Sequence, residues 1–530
     1  LTTSPLSAYV AQDRLRALAS AADLPAVCQG AALFSDISGF TSLTEVLTRA
    51  SGQRRGVDEL ARRINAVHQV LIDAVERWGG SVLSLAGDGM TCWFDAGPQA
   101  PADATRRAVG CGAAMQVAMS HLDGLTVKVG IATGPALRLA VGDPAIQCID
   151  LLAGATVARA VQAQNLALAG EVVVDATSAL ALAPAALAGE RGADDGARFH
   201  RVALPAQPVQ SAPDAADAKP AAVDTETLRP WVLPAVYLRE TTSGGLFKVD
   251  LRPATAVFVH LALGAAAVPG DERDALAAAV ACVQRTLWQH GGVLLEASVD
   301  TAGTCCYGNF GAVQVHEDDA QRALRAALQL RQLLAEAGVD ARMGLASGTL
   351  CVGGYGGSSR RSFGAIGDAV NAAARLMGLA RPGEVLVAGR VRQPLADDAF
   401  TFEPRPPIAL KGKAEPLPVF LVTGLQQKRS IRLQEPTTAL PIVGRAPEVE
   451  GLAAAIEQAC AGRGQVLNIV AEAGMGKSRL LLEAIRMARR RGLIGYGGAS
   501  PPGGALALYG VWQGVWTAWF DHDPTLAPRR

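Results

Sequence analysis

Two aspartates stand in settings suited to holding divalent metal. Asp36 lies in the run Phe34-Ser35-Asp36-Ile37-Ser38-Gly39-Phe40-Thr41, and Asp88 in the turn Gly87-Asp88-Gly89. Each closes an apolar stretch. Magnesium prefers carboxylate oxygens and keeps part of its shell for substrate phosphates. Two such ions side by side can bind the attacking and leaving oxygens of an in-line displacement at phosphorus. That chemistry asks for two aspartates from adjacent strand ends. It also asks for backbone room, which Gly39, Gly87 and Gly89 supply. Taken singly, Asp36 could cap a helix and Asp88 could sit in an ordinary hairpin turn. The full Phe-x-Asp-Ile-x-Gly-Phe-Thr run beside Gly-Asp-Gly weighs against that plainer reading.

A second set lies far along the chain, in Val370-Asn371-Ala372-Ala373-Ala374-Arg375. Asn371 and Arg375 are four apart, so on a helix they share a face. The arginine fork donates several hydrogen bonds in one plane and suits charge developing on a phosphate. Outside their motif, the two would read as a cap-like asparagine and an exposed arginine.

The elements that must position these residues occur twice. Gly80 matches Gly292, Gly130 matches Gly344, and Gly170 matches Gly383, at offsets of 212, 214 and 213 residues. So long a period indicates a duplicated domain and not a solenoid. Leu60, Ile64, Val67, Leu71, Val75 and Trp78 recur at helical spacing before Gly79-Gly80, as do Leu276, Val280, Val283 and Leu287 before Gly291-Gly292. Leu33-Phe34, Val82 to Leu85 and Val127 to Ile131 read as buried strands, giving a mixed α/β fold. Domains are expected at 28–204 and 250–424, joined by a linker over 205–249 whose core is the Pro- and Ala-rich stretch Pro205 to Asp224. A second linker over 425–439 leads to a third unit over 440–530.

The chain has 530 residues, half of them hydrophobic, with 49 basic and 49 acidic side chains. This balance gives no general reason to expect nucleic-acid or anionic-membrane binding. Nine scattered cysteines without a CxxC pair indicate neither a disulfide framework nor a zinc site, and a reducing, cytoplasmic setting fits best. No uncharged apolar stretch of ~18 residues occurs, so no membrane span is expected.

The repeats resemble class III nucleotidyl cyclase domains, which convert ATP or GTP to the 3′,5′-cyclic monophosphate and pyrophosphate. The runs at Phe34 to Thr41 and Gly87-Asp88 match that family's two-metal motif, and Gly367 to Met377 matches its Gly-x-x-Val-Asn-x-Ala-Ala-Arg-Leu motif. The tandem order followed by a phosphate-loop unit resembles the soluble adenylyl cyclase group and its bacterial relatives. The resemblance implies ferredoxin-like α+β domains paired head to tail as an intramolecular pseudo-dimer, active as a monomer. It implies that Asp36, Asp88 and the backbone of Ile37 hold two Mg2+ or Mn2+ ions. Ser38, Gly39, Phe40 and Thr41 would cup the triphosphate, Asn371 would orient the ribose, and Arg375 would stabilise the α-phosphate. Base selection would fall to the positions of Glu296 and Gly364. A carboxylate there accepts from guanine N1–H and N2–H, so Glu296 leans towards GTP, whereas the domain order leans towards ATP. ATP ranks first. A plain strand residue facing solvent is the other reading of Glu296.

The reciprocal pocket reads as silent. His260 stands where Asp36 does, Asp300 survives opposite Asp88, and Ala158 and Gln162 replace Asn371 and Arg375. Bicarbonate control is not expected, because the matching positions, Ser84 and Val161, are not basic. A strand over Val466 to Ala471 followed by Gly474-Met475-Gly476-Lys477-Ser478 and a helical run reads as the opening of a phosphate loop. Gly474, Gly476, Lys477 and Ser478 could then take a second nucleotide, with little hydrolysis expected. The competing functional reading is a pseudo-enzyme that senses nucleotide and regulates this third unit.

Overall fold

The apolar stretches that alternate with glycine-ended helices build two sheets of one topology. In this computed structural model the first sheet comprises β1 (Val27–Ser38), β2 (Ser81–Ala86), β3 (Gly89–Asp95), β4 (Thr126–Val141), β5 (Ile149–Ala153), β6 (Val172–Asp175), β7 (Leu187–Gly192) and β8 (Arg198–Val202). The second comprises β9 (Asp250–Leu261), β10 (Val293–Val299), β11 (Thr304–Phe310), β12 (Ala341–Gly356), β13 (Arg361–Ile366), β14 (Val385–Ala388), β15 (Phe400–Ile408) and β16 (Leu417–Leu425). The structure describes residues 4–38, 53–97, 101–122, 124–193, 196–204, 223–242, 249–263, 270–299, 302–393, 400–409, 415–425, 444–471 and 475–493, with a few isolated positions besides. Gly39, Phe40, Thr41, Asp300 and Gly474 lie outside the described residues, as does nearly all of the linker expected over 425–439.

The strand orders are β2-β3-β1-β4-β6-β8-β7, with β5 on β4, and β10-β11-β9-β12-β14-β16-β15, with β13 on β12. Within the first sheet β2, β3, β1 and β4 are antiparallel neighbours. The helices Gln53–Arg77 and Pro101–Met119 follow β1 and β3. This is the ferredoxin-like split βαβ arrangement that the resemblance implied. The helix Gln53–Arg77 lays Ile64, Val67, Leu71 and Val75 on Leu33, Met90 and Phe94 of the sheet. Each such fully buried side chain contributes about 1.5–3 kcal/mol relative to exposure.

Strand register makes the duplication exact enough to equate residues. Phe34 pairs with Gly130 as Phe258 pairs with Gly344, so Asp36, opposite Lys128, corresponds to His260, opposite Arg342. A bulge interrupts β2 between Val82 and Ser84, and another interrupts β10 between Leu294 and Glu296. Ser84 and Glu296 are therefore equivalent, as the sequence match requires. Gly130 and Gly344 each let a helix backbone lie directly on the sheet. A Cβ on Gly344 would meet Ala373 O at 2.2 Å and Met377 N at 2.3 Å. No larger residue fits, so Gly344 sets the height of the helix Asp368–Leu379, which carries Asn371 and Arg375.

Leu1–Ala396 and Thr401–Gly424 form one compact unit, so the two repeats pack as a pair. Part of the expected linker 205–249 is folded into this unit. Thr225–Leu228 and Pro234–Thr242 are helices, and Leu228, Leu233 and Val236 share a core with Leu6, Val10 and Leu15 and with Phe363 of the second repeat. These apolar side chains, spaced along a Pro-containing segment, are what a bare tether lacks. Arg14 adds an ion pair to Asp150 at 2.6 Å, and its guanidinium lies 4.4 Å over the Trp231 ring.

The second unit holds the helices Ala446–Cys460 and Lys477–Arg490. The strand expected over Val466 to Ala471 is absent. These residues are irregular, and Val466 and Val470 are 91% and 90% exposed. A strand needs a neighbour to take up its backbone groups, and no described strand lies beside this segment. The phosphate-loop domain is accordingly not shown. Gly476 adopts the left-handed conformation before the helix, and Lys477 Nζ donates to Ala471 O at 2.6 Å. The Ser478 side chain lies outside the described residues.

Candidate active site between the repeats

The β2–β3 hairpin turns in two residues, Gly87 and Asp88. Gly87 has φ +61°, and Asp88 is not left-handed, which is the type II′ geometry whose first central position calls for glycine. Ile37 N–H donates to Asp88 O at 3.0 Å, tying the turn to the end of β1. Asp36 pairs with Gly89 across β1 and β3. The two carboxylates thus come from adjacent strand ends, as expected. Burial raises the pKa of both. Asp88 is pushed up to about 6, first by burial and then by the charge of Asp36. Asp36 is also raised by burial, against the opposing pull of Lys128. Two mutually repelling carboxylates fit a divalent ion, and the backbone of Ile37 is tied to the same turn. Among the described residues no group of three or more His, Cys, Asp and Glu side chains could hold a metal. Two carboxylates suit magnesium, which completes its shell with water and phosphate.

A cavity of about 390 Å³ opens where the repeats meet. Asp88 lines it from the first repeat, and Glu296, Gly364 and Asn371 line it from the second. These four expected site residues therefore come together. Asp36 and Arg375 do not line the cavity. Asp36 acts on it through Asp88, while Arg375 is exposed one turn beyond Asn371 on the same helix. Ser38 is half-buried at the end of β1.

Glu296 is half-buried and faces the cavity, unlike the open strand face of the plainer reading. Its carboxyl borders the cavity, and it has no hydrogen bond or ion pair with any described residue. Burial alone pushes its pKa up to about 7. Gly364 carries no side chain, and its space is filled. A Cβ there would lie 2.7 Å from the Tyr355 ring.

Three residues that the sequence reading missed hold the two halves together. Tyr355 Oη donates to Leu85 O at 2.7 Å, so the second repeat grips the strand leading into the Asp88 turn. His68 lies buried against the Tyr355 ring, with centroids 5.7 Å apart. Burial holds its pKa down to about 4, so it packs as a neutral ring. Buried Arg360 donates to Val82 O at 2.9 Å and Leu83 O at 2.7 Å. These carbonyls flank the β2 bulge, where the ladder leaves polar groups to be satisfied from elsewhere. The sequence did offer a signal for Tyr355, an aromatic set alone among Gly353, Gly354, Gly356 and Gly357.

The space lined by Ser84, Asp150, Leu151 and Ala297 is about 20 Å³, room for about one water. His260 is buried on β9.

Residues 262–423 match the family described as "Adenylate and Guanylate cyclase catalytic domain". Adenylate cyclase type 10 of Rattus norvegicus is 25% identical over 499 residues, covering 86% of this chain and 30% of the relative. The human protein of that name is 28% identical over 151 residues, covering 27% of this chain and 9% of the relative. The chain thus spans under a third of the length of these relatives. A solved class III adenylyl cyclase-like ATP-binding protein from Pseudomonas aeruginosa covers 70% of this chain and 86% of its own, at 13% identity and a TM-score of 0.49. The family match falls on the second repeat, and the tandem pair of sheets as a whole resembles adenylate cyclase type 10. No helix among the described residues is long and apolar enough to cross a membrane.

Proposed function

We propose that the chain is a purine nucleotide cyclase that makes 3′,5′-cyclic AMP from ATP at a single site between its repeats. One observation carries this reading: Asp88 of the first repeat and Glu296 and Asn371 of the second line one cavity, with Asp36 electrostatically coupled to Asp88. In the proposed reaction the ribose 3′-oxygen bonds to the α-phosphorus, the α–β bridging bond breaks, pyrophosphate leaves, and the 3′-hydroxyl proton passes to solvent. Two divalent ions, when bound, would lower the charge on the attacking and leaving oxygens. Asp36, Asp88 and the Ile37 carbonyl would hold them, and Ser38 to Thr41 would receive the triphosphate. Asn371 would orient the ribose. Arg375, exposed one turn beyond Asn371, would stabilise the α-phosphate.

A second reading, a guanylyl cyclase, is favoured by Glu296, whose carboxylate matches the donors of guanine. A nucleotide-sensing pseudo-enzyme is the reading to adopt if nucleotide binds and is not turned over. The test is to incubate the purified chain with Mg2+ or Mn2+ and either ATP or GTP and to identify the product by mass. Cyclic nucleotide supports the proposal. Tight binding without product rejects it in favour of the pseudo-enzyme.

A further inference from the structure

A carboxyl group can recognise either purine, depending on its proton. The neutral acid donates O–H to adenine N1 and accepts from N6–H through its carbonyl. The carboxylate accepts from guanine N1–H and N2–H. Each form mismatches the other base, because it leaves like groups facing each other and buried polar atoms unpaired. Most base-reading side chains offer one pattern only. A carboxyl can offer both if nothing in the protein fixes its state.

Glu296 meets that condition. It lies on β10 just beyond the bulge, borders the cavity, and has no hydrogen bond or ion pair with any described residue. The groups coupled to it are Tyr307 on β11 and Tyr355 on β12, both phenols that burial keeps neutral. Tyr307 Oη donates to Ala365 O at 3.0 Å, and Tyr355 Oη donates to Leu85 O at 2.7 Å, so neither proton is committed to Glu296. Other charged groups round the cavity are engaged elsewhere. Arg360 is spent on backbone carbonyls, Asp150 pairs with Arg14, and Tyr9 bonds Glu240 at 3.1 Å. Arg361 Nε donates to Gly357 O at 2.8 Å. Asp88 and Asp368 add negative charge, and Cys305 a thiol, while no cation among the described residues offsets the effect of burial on Glu296. The neighbouring position that could add a second base contact is Gly364, filled by the Tyr355 ring. Glu296 is thus an ionisable side chain on the cavity wall that no bond to a described residue commits before the base arrives.

We infer that Glu296 makes this a dual-purine site in which the protonated carboxyl selects adenine and the ionised carboxyl selects guanine. The inference rests on the cyclase reading for the identity of the pocket. The ratio of ionised to neutral carboxyl changes tenfold per pH unit whatever the pKa, so the GTP-to-ATP preference rises by up to tenfold per unit. Burial places the titration of the free carboxyl near neutrality. Protonation of Asp88 affects both nucleotides alike and cancels in the ratio.

The experiment measures kcat/KM for GTP and ATP at pH 6, 7 and 8, in parallel with Kd for the two nucleotides in Ca2+, on the wild-type chain and on Glu296→Gln. The expected result is a GTP-to-ATP ratio that climbs at least tenfold from pH 6 to pH 8 in the wild type. In Glu296→Gln, which offers one donor and one acceptor at every pH, the ratio stays flat and favours ATP. Turnover with a flat wild-type ratio overturns the inference and leaves the cyclase reading intact. A climbing ratio that persists in Glu296→Gln also overturns it. A climbing ratio in Kd without turnover supports the base-reading role and rejects the cyclase reading. Absence of both binding and turnover overturns both.

Discussion

At the residue scale, the carboxylates carry two distinct costs. Asp36 on β1 raises the pKa of Asp88 in the neighbouring turn by repulsion, and a divalent ion would relieve it. Metal must displace the proton that Asp88 holds below about pH 6. The apparent metal affinity, followed by Mn2+ binding, is therefore expected to weaken as pH falls from 7 to 5. An affinity constant across that range would contradict the assignment. Glu296 gives the opposite kind of signal. Its folded-state pKa is raised to about 7 from 4.5, so the folded chain binds this proton more tightly than the unfolded one. Stability is full below pH 4.5 and is lost as pH rises through about 7, after which the penalty is constant. Glu296→Gln should stabilise the chain by about 1–3 kcal/mol at pH 8 and by little at pH 5. Urea unfolding at both values checks this, and an equal effect at both would remove burial as the cause of the shift. The chemistry of these carboxyls was legible in the sequence. Their surroundings were not, because a residue type does not disclose that no partner comes to meet it.

At the element scale, the β2–β3 hairpin that bears Asp88 is held as much by the other repeat as by its own. Arg360 satisfies the carbonyls at the β2 bulge, and Tyr355 satisfies Leu85 O. Arg360→Ala strands these buried acceptors and should cost about 2–4 kcal/mol in chemical denaturation. Arg360→Lys should recover little of that, because one ammonium cannot span two carbonyls in the same plane. Full recovery by lysine would show that only the charge matters. Tyr355→Phe keeps the ring over Gly364 and loses one hydrogen bond. It should lower turnover several-fold while shifting stability by about 1 kcal/mol. The strands and the site helix were readable because alternation, apolar runs and glycine stops are local. The bulge equivalence of Ser84 and Glu296 was readable from an ungapped match. The helices inside the expected 205–249 linker and the missing strand at Val466 to Ala471 were not. Both outcomes depend on whether another surface lies alongside, which local pattern does not encode. Arg375 shows the same limit, since its motif is plain while its side chain is exposed and does not line the cavity.

At the scale of the whole molecule, duplication lets one chain supply both walls of the cavity between its repeats. His260 is buried where Asp36 stands in the first repeat, and the space beside Ser84, the counterpart of Glu296, is only about 20 Å³. One pair per chain predicts that specific activity does not depend on protein concentration. The most direct test uses Asp36→Asn, which removes a proposed metal ligand of the first repeat, and Arg375→Ala, which removes the proposed phosphate contact of the second. Cyclic-nucleotide formation is measured for each variant and for their mixture. Each variant alone should lose at least ~100-fold in kcat, and mixing them should restore nothing, since neither chain carries a complete pair. Wild-type turnover in either variant, or recovery on mixing, would contradict a single site shared between the repeats of one chain.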